Sequence, residues 1–574
     1  MHTFKKMKVT EIDISEHFGG IFRCCHMKLL SLQYFIILVI CGLAAGSALQ
    51  AQDPVFHPES GRSLITNFTP ADYEAEPMNW AFIEDDRGII YVGNNSGLLE
   101  YDGITWRLVS LPNLGAVRSL ARDATGRIWV GGQGEVGYLT SDSLGRTVFV
   151  TLLEKIPEAH RNFQDVWETY ATDEGIYFRT NGAILRWDRS TMKAWPAETP
   201  FHVSFVVNDT FYVRQFGVGL LRMQQSASGE ALRLAPGGER FANTRIYVML
   251  RFDAEQILIG TREEGLFLYD GELVKAFTTE ADLLLAEGGL YLPGVVLPNG
   301  HLGLGTLSKG LVVIDRAGRL VENVNHEAGL QDNTVRFTYV DIQRNLWLGL
   351  NNGIARVGIG SPFTHYGARA GLPNWVSAIA RYDGNLFASD VNGLKRLHRS
   401  TQIFNPVEFP IAQVFSLLPV EGDLLVAGLN HGVYRVVEDR AIKIRTSVSR
   451  DYQAVILHQW NRDPDLVLVG LEDGLALLKR SAEGWIDQGR VPGLNIDVWT
   501  IAEASNGDLW LGTQSSRVAR VRLPEKAEGS RIDLNEIEVT VFGKEDGLIE
   551  GVLKLFRVGN KVYIAGLGET VFSF

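Results

Sequence analysis

The stretch Val117–Leu139, VRSLARDATGRIWVGGQGEVGYL, decides the fold. An apolar run, Val117–Ala121, leads into a polar turn from Asp123 to Gly126. A second short run, Ile128–Val130, ends at Gly131, and after another polar turn a Gly-apolar run follows. The runs are short, alternating and bounded by Gly and Asp, which is the pattern of β-strands joined as hairpins. Nowhere does the sequence sustain a helical period with caps. The same pattern returns as IYVMLRFDAEQILIGTREEGLFLYDG from Ile246, VRFTYVDIQRNLWLGLNNGIARV from Val335 and VWTIAEASNGDLWLGTQSSRVARV from Val498. Further copies begin near Trp80, Leu292, Val376, Val414, Ala454 and Gly551, with degenerate ones near Trp167 and Val203.

Twelve copies follow one another at a period of roughly 43 residues, the length of a four-stranded propeller blade. Strand a is then the run Val117–Ala121 and strand b Ile128–Val130. Strand c is a run such as Leu266–Tyr269, and strand d is the outer, variable run. Trp129, Trp347 and Trp510 share one slot of strand b with Tyr91, Phe387 and Tyr563, and read as core between neighbouring blades. The glycine after strand b reads as a backbone requirement, either a tight turn or a close approach.

The copies of form D-x-x-G-x-[IL]-W-[VL]-G-x-x-x-G-[LI] resemble the two-component regulator propeller repeat, and the opening from Ile65 resembles the first blade of that family. The resemblance covers residues 62–574. It implies the sensor half of a bacterial signalling receptor, with two propellers ahead of a membrane helix and an output domain. The expected fold is all-β: tandem β-propellers of four-stranded blades, the first (52–360) seven-bladed, the second (361–574) incomplete with about five blades. Ile65–Phe68 is expected as the outer strand that completes the blade at 335–357. Phe363–Tyr366 is expected as the matching outer strand of a last blade that the sequence does not contain, so the chain reads as truncated.

Residues 1–51 are read as a signal peptide region with its true start at Met27: Lys28 precedes the apolar run Leu29–Ala45, and Leu49–Ala51 is a cleavage site. Export to the periplasm or medium follows, with membrane attachment only through a missing downstream helix or an uncleaved signal anchor. The three cysteines, Cys24, Cys25 and Cys41, all fall in that region, which excludes disulfides and thiol chemistry from an exported product. Hydrophobic residues at 45% and charged residues at 21% exclude disorder and a multi-spanning membrane protein. A net charge of −12 argues against nucleic acid as a partner.

The sequence holds no H-E-x-x-H, G-x-S-x-G or phosphate-binding G-x-x-x-x-G-K-[ST] motif, and its histidines lack metal-ligand spacing. No catalytic residue, metal or cofactor is therefore expected. Binding is expected instead on the b–c turns, which vary between blades as recognition loops on a rigid scaffold do. In the first ring these offer Asn94, Asn95, Gln133, Arg262, Lys309, Asn351 and Asn352. In the second they offer Asp390, Asn392, Asn430 and His431. Such an amide-rich rim suits a small polar ligand or oligosaccharide. The function expected is a periplasmic ligand-sensing module of a two-component-type receptor lacking its own output domain, with a homodimer in the full receptor. The alternatives are a stand-alone secreted scaffold for protein–protein interaction and a propeller polysaccharide lyase or hydrolase.

Overall fold

The computed structural model describes residues 6–7, 59 and 61–573 apart from 114, 227–228, 292, 360, 400, 409–412, 430, 445–451, 525–531 and 567–570. The signal peptide region, save Lys6–Met7, and Asn430 lie outside the described residues. Among the described residues strand follows strand in antiparallel hairpins, grouped in twelve four-stranded sheets. Residues 61–365 form one compact unit and residues from 366 onward belong to the other. Among the described residues no helix is long and apolar enough to cross a membrane.

The first unit holds seven sheets, blades 1 to 7. Their a strands are Asn79–Glu84, Val117–Arg122, Glu168–Thr172, Phe201–Val207, Ile246–Arg251, Val295–Val296 and Val335–Val340. Each neighbouring pair of blades shares one apolar cluster, so seven blades have seven interfaces. The seventh closes the ring: Phe82, Ile90 and Leu99 of blade 1 pack against Trp347 and Ile354 of blade 7. A strand crosses the same seam, because Ile65–Phe68 pairs antiparallel with Ile354–Val357 and supplies the outer strand of blade 7. Phe68 stacks on Trp347 at 5.9 Å and meets Tyr101 and Trp106 edge-on at 5.4 Å. The last-numbered blade is thus completed by the first strand of the unit, which leaves the ring no free edge at that seam.

Two recurrent residues explain why the repeat folds this way. Asp123 opens the a–b turn of blade 2. One of its oxygens accepts from the backbone N–H of Thr125 and Arg127, and the other accepts the Trp129 indole N–H at 2.9 Å. Asp341 and Trp347 repeat that last bond at 2.9 Å in blade 7. The tryptophan is buried between blades and its one polar atom is satisfied by the turn that precedes it. Gly131 has an ordinary φ; a Cβ there would sit 2.5 Å from Val166 and 2.4 Å from Ser119 Oγ. At Gly349 a Cβ would sit 2.7 Å from the Asn79 carbonyl across the closing seam. Close approach of the next blade, rather than a turn, fixes this glycine slot.

The second unit carries five sheets, with a strands Ala378–Tyr382, Val414–Val420, Ala454–Trp460, Thr500–Glu503 and Leu553–Val558. Four clusters of the same kind join them in a row. Lys6–Met7 pairs with Val571–Ser573 as the fourth strand of the last sheet. One expectation is corrected here: Phe363–Tyr366 is no strand. His365 makes a single antiparallel bridge with Arg62 instead, and Pro362 just before that segment has no N–H to give a ladder.

Candidate ligand-binding site at the mouth of the seven-bladed ring

The a strands of the first unit surround a central cavity of about 420 Å³. In five blades the register of strand a slips at its second residue, a β-bulge that leaves one residue out of the ladder. The residues so released are Trp80, Arg118, His202, Tyr247 and Arg336. Trp167 and Tyr291 hold the same place in blades 3 and 6, each following an almost fully buried residue, Val166 or Leu290. A bulge re-aims the side chain it carries. Here it gives five blades one large aromatic or cationic side chain at the start of the inner strand, on the side of the b–c turns, and Trp167 and Tyr291, just ahead of the inner strand, supply the other two.

These side chains meet in one continuous arc. The Arg118 guanidinium lies between Trp80 and Trp167, 4.6 and 5.3 Å from the ring centres. Arg336 lies 5.5 Å from Trp80 and 5.2 Å from Tyr291. Arg262, from the b–c turn of blade 5, lies 3.9 Å from Tyr247 and 5.6 Å from Tyr291. The His202 ring meets Tyr247 edge-on at 5.1 Å. Each cation–π contact contributes about 0.5–2 kcal/mol, so the arc is held largely by its own members. Burial, and after it the nearby cations Arg214, Arg179, Arg245 and Arg262, push the His202 imidazole down to about 3. It is neutral at ordinary pH.

The b–c turns contribute unequally. Asn95 Oδ1 accepts from the Trp80 indole and from Arg118, both at 2.8 Å. Asn351 Oδ1 accepts from Arg336 at 2.9 Å. With Arg262, these are the rim residues that the structure brings together at the mouth. Asn94 is buried, its amide donating to Glu76, Met78 and Asn79 to lock the turn. Gln133 and Asn352 are exposed on their turns, and Lys309 pairs with Glu287 at 3.0 Å. In the second unit Asp390 is wholly buried and pairs with Lys395 at 2.7 Å, while Asn392 and His431 are exposed turn residues. The bulge residues themselves are absent from the b–c expectation. Their signal in sequence is a large aromatic or basic residue directly after the first buried residue of each strand a.

The second unit has bulges at the same place, but they release Phe415 and Val455, and Phe415 meets Trp499 at 5.6 Å. The cationic arc belongs to the first ring. Beside it, a cleft of about 250 Å³ is lined by Asn162, Gln164 and Asn181, and shares Asp165 with Arg118. Among the described residues no three His, Cys, Asp or Glu side chains gather as a metal site.

The family model described as two component regulator propeller matches residues 492–515, the repeat that contains Val498–Trp510. The extracellular domain of a protein described as hybrid two component system BT3049, from B. thetaiotaomicron, aligns with a TM-score of 0.65 at 14% identity. The alignment covers 89% of this chain and 71% of that one. The extracellular domain of a protein described as one component system BT4673, from the same organism, aligns over 89% of this chain and 82% of that one, at 15% identity and a TM-score of 0.40. No curated protein matches in sequence. At such identities the first of these likenesses speaks for the fold. The chain is a tandem β-propeller in which residues 492–515 match the two component regulator propeller repeat.

Proposed function

We propose that this chain is the extracytoplasmic ligand-sensing module of a two-component-type receptor, and that it takes a glycan or another small polar ligand at the mouth of the seven-bladed ring. The observation that carries this reading is the set of seven equivalent positions, one per blade, filled by Trp, Arg, His or Tyr, of which Trp80, Arg118, Trp167, Tyr291 and Arg336 line the central cavity. Flat aromatic faces suit the apolar faces of sugar rings, and the guanidiniums and the neighbouring amide-lined cleft suit hydroxyls. A site assembled from all the blades is also well placed for sensing, because a ligand bridging several blades can favour one arrangement of them. Only such differential affinity can drive a receptor from one state to another.

The test uses the two indoles of the site. Oligosaccharides from a broad panel are titrated while tryptophan fluorescence and the melting temperature are followed. Binding is expected to change the emission and raise the melting temperature. Trp80→Phe together with Trp167→Phe removes the emission change, and Trp80→Ala abolishes binding. Asn352→Ala, on an exposed turn, leaves binding intact. A panel that moves neither signal, or binding that survives Trp80→Ala, defeats the reading.

A further inference from the structure

The mouth is unevenly charged, and this narrows the ligand class. Three guanidiniums, those of Arg118, Arg262 and Arg336, stand in the arc. One carboxylate answers them: Asp165 accepts from Arg118 Nε at 2.8 Å. Among the described residues Arg262 and Arg336 form no ion pair. Their hydrogen-bond acceptors are neutral, the Leu290 carbonyl at 3.5 Å for Arg262 and the Asn351 amide oxygen for Arg336. Arg336 Nε is buried with no hydrogen-bond partner, and so is His202 Nδ1. Glu263, beside Arg262 in sequence, is exposed, and Glu264 is engaged by Arg240 at 2.9 Å.

Tyr291 gives these two arginines a common location. Both guanidiniums lie within 6 Å of its ring centre, at 5.6 and 5.2 Å. Two like charges gathered on one ring, away from carboxylates and partly shielded from water, repel one another. Their planar faces are taken by aromatic rings. What remains is the in-plane N–H edge, which is the part of arginine that grips oxyanions. This local positive charge occurs in a chain whose net charge is −12, so general electrostatics does not account for it.

We infer that the ligand taken at this mouth is an acidic saccharide, with a carboxylate or sulfate group held between Arg262 and Arg336 beside Tyr291 and a sugar ring on the indoles of Trp80 and Trp167. This rests on the reading of the mouth as the ligand site and names the ligand's chemistry. Carboxylate and sulfate share the oxyanion that the arginine edges recognise.

The experiment compares uronate-containing oligosaccharides and sulfated galacto-oligosaccharides with their neutral counterparts, by calorimetric titration of the full chain. Acidic members are expected to bind at least about tenfold more tightly than neutral ones, as charge-assisted hydrogen bonds require. Their affinity falls as NaCl is raised, whereas that of a neutral sugar does not. Arg336→Gln and, separately, Arg262→Gln each lower acidic-ligand affinity about tenfold or more. Arg262→Lys restores part of the loss, because charge returns without the fork. Melting curves confirm that each variant folds; Arg262, on a turn, provides the second variant if Arg336→Gln does not. Whether the uronate or the sulfated series binds more tightly identifies the oxyanion. Equal affinity for neutral counterparts overturns the inference, as does acidic binding that survives both glutamine variants. Neutral sugars bound as tightly as acidic ones, and lost in Trp80→Ala, overturn the charge assignment alone and leave the site standing. A panel in which no acidic member binds overturns the inference, and if no neutral member binds either, the reading of the mouth falls with it.

Discussion

At the scale of single residues, the same side chains serve packing and electrostatics together. Asp123 is an example. Burial alone would raise its carboxyl, but hydrogen bonds from Thr125, Trp129 and the backbone outweigh it and hold the group below 3.8. Asp123→Ala leaves the Trp129 indole N–H unpaired in the core and opens the a–b turn. A loss of about 1–3 kcal/mol in urea unfolding is expected, the usual cost of a buried donor without a partner. His202 makes a prediction of opposite chemistry. Its folded pKa is about 3, against 6.5 for an ordinary histidine. Below pH 6.5 the unfolded chain takes up a proton that the folded ring refuses, so stability is full above 6.5 and falls as the pH drops towards 3. His458 in the second unit is lowered in the same direction, by burial first, with Glu503 opposing. Denaturation between pH 7 and 4 should therefore show stability declining before the carboxylates titrate, and His202→Asn should flatten part of that slope. A slope unchanged by the substitution means that the imidazole is not held neutral in the ring.

At the scale of elements, the ring depends on how one strand meets the next blade. Gly131 lies where strand b of blade 2 passes under strand a of blade 3, and a methyl group at this position would meet Ser119 Oγ at 2.4 Å and Val166 at 2.5 Å. Neither neighbour is the flexible end of a long chain, so Gly131→Ala must spread the two blades. About 1–3 kcal/mol of destabilisation is expected, within the range of overpacked cores. A substitution that left the melting temperature unchanged would show that the interface yields freely. The closing strand Ile65–Phe68 makes a sharper case. Phe68 is half-buried, but its ring joins Tyr101 and Trp106 of blade 1 to Trp347 of blade 7. Phe68→Ala should lower stability by about 2–4 kcal/mol, somewhat less than a fully buried aromatic. Hydrogen exchange should rise first along Ile354–Val357, whose ladder partner is that strand. Faster exchange spread evenly over all seven blades would mean that the strand is not a local latch.

At the scale of the whole molecule, the parts read correctly from sequence are those that every blade repeats. Trp129, Trp347 and Gly131 recur because each blade must bury an aromatic and admit its neighbour, so the repeat and the closing strand at Ile65–Phe68 are legible without coordinates. The mouth is not, because Trp80, Arg118, His202 and Tyr247 differ in chemistry and look like ordinary alternation within strand a. The bulge that releases them from the ladder is a matter of register, and its one trace in sequence is a large aromatic or basic residue after the first buried position of the blade. Asn95, Arg262 and Asn351 are accessible to such reading because turns declare themselves through Gly and Asn, whereas Asn94 and Asp390 carry the same turn chemistry and spend it internally. The seven interfaces between seven blades, with the closing strand supplied from within 61–365, lead to a last prediction. Residues 61–365 produced alone should unfold in one cooperative transition, since each blade is flanked on both sides and none presents an open apolar face to water. The fragment should also retain the fluorescence response to ligand, because Trp80, Trp167, Arg262 and Arg336 all lie inside it. Circular dichroism melting and the same titration measure both properties on one sample. A fragment that melts cooperatively but no longer responds would move the ligand site away from the mouth, and a broad, non-cooperative melt would mean that the seven interfaces do not suffice to hold the ring.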